Sequence, residues 1–153
     1  MSLVLRDAEV LDAGGLGAIL DQSIRDHAWM PVLHSLAEDI SFVGDMIEMG
    51  WVRVALAAGD GRTLRGFLAR EGELVHALYV ARGARGHGVG RQLMEDAMAA
   101  CERLELWTFV ANMGARRFYA RLGFDEVEFG DGTTNDEGLP DVRLEWHREG
   151  HNG

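Results

Sequence analysis

The sequence holds a single cysteine, Cys101, so no disulfide can close within the chain, and a reducing, cytoplasmic setting is expected. Cys101 falls in a helix-like pattern, where it reads as a small packed apolar side chain rather than a nucleophile. No apolar stretch approaches the roughly eighteen uninterrupted residues a membrane helix needs, and the first residues do not have the form of a signal peptide. Positive charge is scarce: the net charge is −10, which argues against non-specific binding to nucleic acid or anionic membrane. There is no internal repeat, linker or low-complexity segment. His27 and His34 have no clustered Cys, Asp or Glu at ligand spacing around them, so no metal is expected.

What is present is ordinary for a folded domain: 153 residues, 47% hydrophobic and 26% charged. One domain over residues 1–148 is expected, with 149–153 as a tail. Leu3 to Leu5 reads as a short strand. Ala13 to His27 reads as a helix, with Leu16, Ile19, Leu20 and Ile24 spaced to face a core. Ser35 followed by Glu38 is a capping-box signature; it opens a second helix whose stripe is Ile40, Val43, Met46 and Ile47. Strands follow over Trp51–Ala57, Thr63–Arg70 and Glu73–Val80, the first two joined by the turn signal Gly59-Asp60-Gly61-Arg62. A third helix spans Arg91 to Glu102, its stripe being Val89, Leu93, Met94, Ala97, Met98 and Cys101. Leu104–Val110 is a strand and Met113–Leu122 a helix stopped by Gly123. Phe124–Phe129 and Val142–Trp146 are the last strands, joined by a polar loop. The order β-α-α-β-β-β-α-β-α-β-β predicts a mixed, mostly antiparallel α/β sheet flanked by helices on both faces.

The most informative stretch is Arg85-Gly86-His87-Gly88-Val89-Gly90, between a strand and a helix. Glycines there let a ligand approach the backbone. Their amides, with the positive end of the helix dipole, make an anion seat suited to a pyrophosphate. Arg82, Arg85 and Arg91 gather around it, and Arg116, Arg117 and Arg121 form a second group.

Leu78-Tyr79-Val80, the glycine run and Leu93-Met94 resemble the acyl-CoA signature of the GNAT superfamily of N-acetyltransferases. Asn112-Met113-Gly114-Ala115-Arg116-Arg117-Phe118-Tyr119, closing in Gly123-Phe124, is similar to that family's second motif. The element order matches from Leu3 to Trp146. One departure is Arg82, where members often carry proline.

The resemblance implies an acetyl-CoA-dependent N-acetyltransferase acting on a primary amine by direct attack. Backbone groups at Leu78, Tyr79 and Val80 would hold the pantetheine arm, and Arg85, Gly86, His87, Gly88, Val89, Gly90 and Arg91 the pyrophosphate. Asn112, Ala115, Phe118 and Tyr119 would complete the cofactor side. Tyr119 would protonate the departing thiolate, or else pack as a half-buried helix tyrosine. Asn112 would bond the arm, cap its helix, or both. The base is open among Glu73, His76, His27, His34 and water. His27, Trp29, Met30 and His34 would line the acceptor pocket, or Trp29 and Met30 simply cover the core. The acidic loop from Gly130 to Asp141 would guide a cationic substrate or be a solvated turn. The acceptor is a small-molecule or peptide amine, and a homodimer is common among similar proteins. The rival is a non-catalytic acyl-CoA-binding module; an ATP-type phosphate loop lacks its Gly-Lys-Ser/Thr ending.

Overall fold

The computed structural model describes residues 2–148; the expected tail at 149–153 lies outside them. The strands are β1 (Leu3–Asp7), β2 (Val52–Ala57), β3 (Leu64–Glu71), β4 (Leu74–Val80), β5 (Arg103–Phe109), β6 (Asp125–Gly130) and β7 (Asp141–His147). The helices are α1 (Ala13–Arg25), α2 (Leu36–Glu48), α3 (Val89–Ala100) and α4 (Met113–Arg121). Their chain order is the expected one. The seven strands hydrogen-bond in the order β1-β2-β3-β4-β5-β7-β6. β4 and β5 pair parallel, Leu74 opposite Glu105 and Val75 opposite Leu106. The β1–β2, β2–β3, β5–β7 and β6–β7 pairs are antiparallel.

The chain divides into two compact units. The first runs through Arg70 and includes Ala77–Asp96; the second takes Glu71–His76 and the chain from Ala97. In the first, Leu16 and Leu20 of α1 meet Val43, Met46 and Ile47 of α2 over Val52, Val54, Leu56, Phe67, Ala69 and Ala77 of the strands. The period-2 pleat turns Gly66 to the opposite face from Phe67. A Cβ at Gly66 would lie 2.7 Å from the Tyr79 carbonyl and 3.1 Å from Val89 at the head of α3. Helices thus cover both faces of this part of the sheet, and glycine is what lets α3 approach.

α1 and α2 also cross tightly. A Cβ on Gly17 would sit 2.6 Å from the Ile40 Cα. The crossing leaves Ile40 only partly buried and puts Asp39 in the stripe instead, 4% exposed. Burial, with the neighbouring Asp21 carboxyl, holds Asp39 above the ordinary carboxylate range. The capping box forms as expected: the Glu38 amide donates to Ser35 Oγ at 3.1 Å and the Ser35 amide to Glu38 Oε1 at 2.9 Å.

Boundaries shift where caps decide them. α1 stops at Arg25, leaving His27 in the loop. α3 begins at Val89 and ends at Ala100, so Cys101 is not on the helix stripe; its Sγ donates instead to the Gly72 carbonyl at 3.8 Å. Glu73 precedes β4, in the turn after β3. A short 3-10 turn, Val10–Asp12, precedes α1.

In the second unit Val75, Leu104, Leu106, Val142 and Leu144 are the buried strand positions, with Tyr119 and Phe124. β7 lies between β5 and β6. Its Val142 and Leu144 are fully buried, whereas β6 (Asp-Glu-Val-Glu-Phe-Gly) is exposed almost throughout. A charged strand is the one that tolerates an edge.

Candidate functional site

β4 ends at Val80, and the Ala81 amide is held by the Arg65 carbonyl at 2.8 Å. A 3-10 turn over Arg82–Ala84 follows, anchored by Ala84, which is fully buried. Gly86 and Gly88 then take left-handed backbone angles, φ +80° and +79°. A Cβ built on either meets nothing within 4 Å, so open space lies before both. The first helical bond of α3 runs from the Gln92 amide to the Gly88 carbonyl, 3.0 Å. The amides of Val89, Gly90 and Arg91 therefore precede the ladder. Left-handed glycines, amides without ladder partners and a helix start together fit the two phosphates of an acyl-CoA.

The arginines are organised in a way the sequence alone does not disclose. Asp26, the residue after α1, takes Arg82 through both Nε (3.2 Å to Oδ2) and Nη2, and Arg85 Nη2 at 3.1 Å. Arg85 Nη2 also reaches Ser23 Oγ at 3.3 Å. Arg82 is foremost among the causes that hold the Asp26 carboxyl down to about 2. Arg91 does not join this group; it pairs with Glu95 on its own helix, 3.3 Å. His87 is exposed. Asp26 and Ser23 were not anticipated. An acid at the end of a helix, where the dipole favours a cation, is the signal that could have found Asp26.

On β4, Leu78, Tyr79 and Val80 are each partly buried. The Tyr79 ring packs on Phe67, centroids 5.8 Å apart, on the face of the α1–α2 core. The connection after α1 brings His27 and Trp29 together, rings 5.1 Å apart, with His27 Nδ1 at 2.7 Å from the Ser23 carbonyl. Met30 is half-buried. His34 is exposed and lies 3.9 Å from Glu38.

In the second unit His76 Nε2 stands 3.0 Å from Glu71 Oε1. Glu73 is half-exposed and 3.5 Å from Arg103. Asn112 caps α4, its Oδ1 accepting from the Ala115 amide at 3.1 Å, which leaves Nδ2 as a donor. Tyr119 is 8% exposed, its ring edge-on to Phe118 and Phe124 at 5.2 and 5.5 Å. Of the second arginine group, Arg116 is committed to Glu126 (2.8 and 2.9 Å) and the Val110 carbonyl, while Arg117 and Arg121 are exposed. In the acidic loop Asp131 folds onto Thr133, and Asn135 donates to Asp141 at 3.2 Å and to the Leu139 carbonyl at 2.8 Å.

The family model of the acetyltransferase (GNAT) domain matches residues 37–126, more than half of the chain and both motifs. The chain belongs to the GNAT acetyltransferase family. Among its relatives in that family is an uncharacterized N-acetyltransferase of Methanocaldococcus jannaschii, 35% identical over 80 residues, covering 49% of this chain and 35% of the relative. Another is the 5-NmdU N-acetyltransferase of Pseudomonas phage PaMx11, 40% identical over 83 residues, covering 49% and 57%. The matches thus span from about a third to rather more than half of these relatives' lengths. A GNAT phosphinothricin acetyltransferase from Sinorhizobium meliloti, solved in complex with AcCoA, has the same fold: TM-score 0.75, 20% identity, 96% of this chain and 89% of that one covered. No helix of the described residues is long and apolar enough to cross a membrane.

Proposed function

We propose that this GNAT chain transfers the acetyl group of acetyl-CoA to a primary amine of a small molecule or peptide by direct attack. The observation that carries the reading is the pair of left-handed glycines, Gly86 and Gly88, opening onto free space at the head of α3. The amides from Gly86 to Arg91 would hold the diphosphate, and backbone groups of Leu78 to Val80 the pantetheine arm.

In the transfer the amine nitrogen forms a bond to the thioester carbon and the carbon–sulfur bond breaks. The leaving thiolate takes a proton from the Tyr119 phenol, and the amine gives its proton to a base. Strand amides would meet the developing oxyanion. Asn112 Nδ2 is available to the arm because its Oδ1 already caps α4. For the base, His76 with Glu71 at 3.0 Å has the form of an oriented imidazole, and Glu73 is the alternative from the preceding turn. His27 and Trp29, with Met30, would present an apolar, partly aromatic wall to the acceptor, with His34 at its exposed end.

The test is release of free thiol from acetyl-CoA across a panel of amines, run beside calorimetric CoA binding. Binding with amine-dependent thiol release is the expected result. CoA binding with no thiol release for any amine would favour a non-catalytic acyl-CoA module. Absence of both would refute the reading.

A further inference from the structure

Asp26 lies 56 residues before Arg82 and is held by two guanidinia at once. Its side chain is only 16% exposed, whereas those of Arg82 and Arg85 are 61% and 40% exposed. The carboxylate is therefore the inner member and the cations the outer ones. Arg82 spends Nε and Nη2 on Asp26, and Arg85 spends Nη2 on Asp26 and Ser23. Nη1 of Arg82, and Nε and Nη1 of Arg85, keep their donors. Arg85 directly precedes Gly86, the first left-handed residue of the turn. Ser23 is itself fixed: it is 6% exposed, and its carbonyl meets the His27 ring.

We propose that Asp26 is a positioning residue for the phosphates of the acyl-CoA: it sets the Arg82 and Arg85 guanidinia beside the glycine turn and leaves part of each donor edge for a polyanion. The inference rests on the function proposed above. Long arginine side chains lose much rotamer freedom when they grip an anion, and a carboxylate that has already ordered them removes that cost at binding. Asp26 touches no reacting atom; it acts through the two arginines.

Charge and geometry make opposite predictions here, which gives the test its edge. Asp26→Asn removes a negative charge beside an anion seat, so electrostatics alone would tighten CoA binding. Positioning requires the reverse. In calorimetric titrations of the ligand-free protein with CoA, Asp26→Asn is expected to weaken binding about tenfold, the scale of losing a charge-assisted hydrogen bond. Asp26→Glu should recover part of the loss. In an Arg82→Gln, Arg85→Gln background, Asp26→Asn should add nothing further. Unchanged or tighter binding in Asp26→Asn, or a full tenfold loss persisting without the arginines, would overturn the proposal. Should Asp26→Asn fail to fold, Ser23→Ala removes only the second anchor of Arg85 and is expected to cost about threefold; no loss there overturns it equally. If the unmodified protein shows no heat with CoA at all, the acetyltransferase reading has failed instead, and the two failures are told apart.

Discussion

Tyr119 is the residue on which the proposed chemistry turns, and its surroundings make it testable by one oxygen. Its ring is buried edge-on against Phe118 and Phe124, contacts that phenylalanine would keep. Tyr119→Phe is expected to cut turnover about 100-fold, within the range for loss of a general acid, with CoA affinity essentially unchanged. Steady-state kinetics beside calorimetry would read the split, and equal loss of both would contradict the acid role. Two carboxyls carry opposite pH signs. Asp26, held down to about 2 by Arg82 in the first place, contributes stability that is complete above its ordinary 3.8 and lost as pH falls through about 2. Asp39, raised by burial, favours the folded state only while protonated, a contribution present below 3.8 and lost as pH rises through its higher folded value. Asp39→Asn should therefore raise the urea midpoint at pH 7, with the gain fading below pH 4. A constant gain, or a loss at pH 7, would show that burial is not what costs the charge.

Among the elements, α1 and α2 were legible from apolar spacing, and the start of α2 from its capping box. Ser35→Ala should lose about 1 kcal/mol in urea unfolding, since the Glu38 amide loses its Oγ acceptor while the backbone amide of residue 35 can still donate to Glu38. Gly17 was not legible, because a helix glycine in sequence looks like a weak point rather than a crossing. Alanine is the better helix former by about 1 kcal/mol. Gly17→Ala should nonetheless destabilise the protein by about 1–3 kcal/mol, because its Cβ would meet the Ile40 backbone. A stabilised variant would mean that the crossing relaxes freely. The glycine turn is legible in the sequence, while α3 begins at Val89 rather than at the expected Arg91, because Gly88 supplies the first carbonyl of the ladder. The 3-10 turn at Val10–Asp12 has no periodicity to announce it.

For the whole molecule, the order of elements and the family could be read from sequence because each motif is local. Sheet order could not: β7 slips between β5 and β6, a choice made by the buried Val142 and Leu144 and the charged β6 rather than by any turn. Nor could the tie between Asp26 and the arginines, which depends on where the chain returns after 56 residues. All fifteen basic side chains are arginine, and most of those near the two motifs are already paired: Arg82 and Arg85 with Asp26, Arg91 with Glu95, Arg116 with Glu126. The proposed phosphate site is thus a seat made chiefly of backbone amides, with its cations pre-bound. The direct measurement is an amide chemical-shift titration of nitrogen-15-labelled protein with CoA. The amides of Gly86 to Arg91 should move most and saturate together; saturating CoA that leaves them in place while other amides shift would contradict the account.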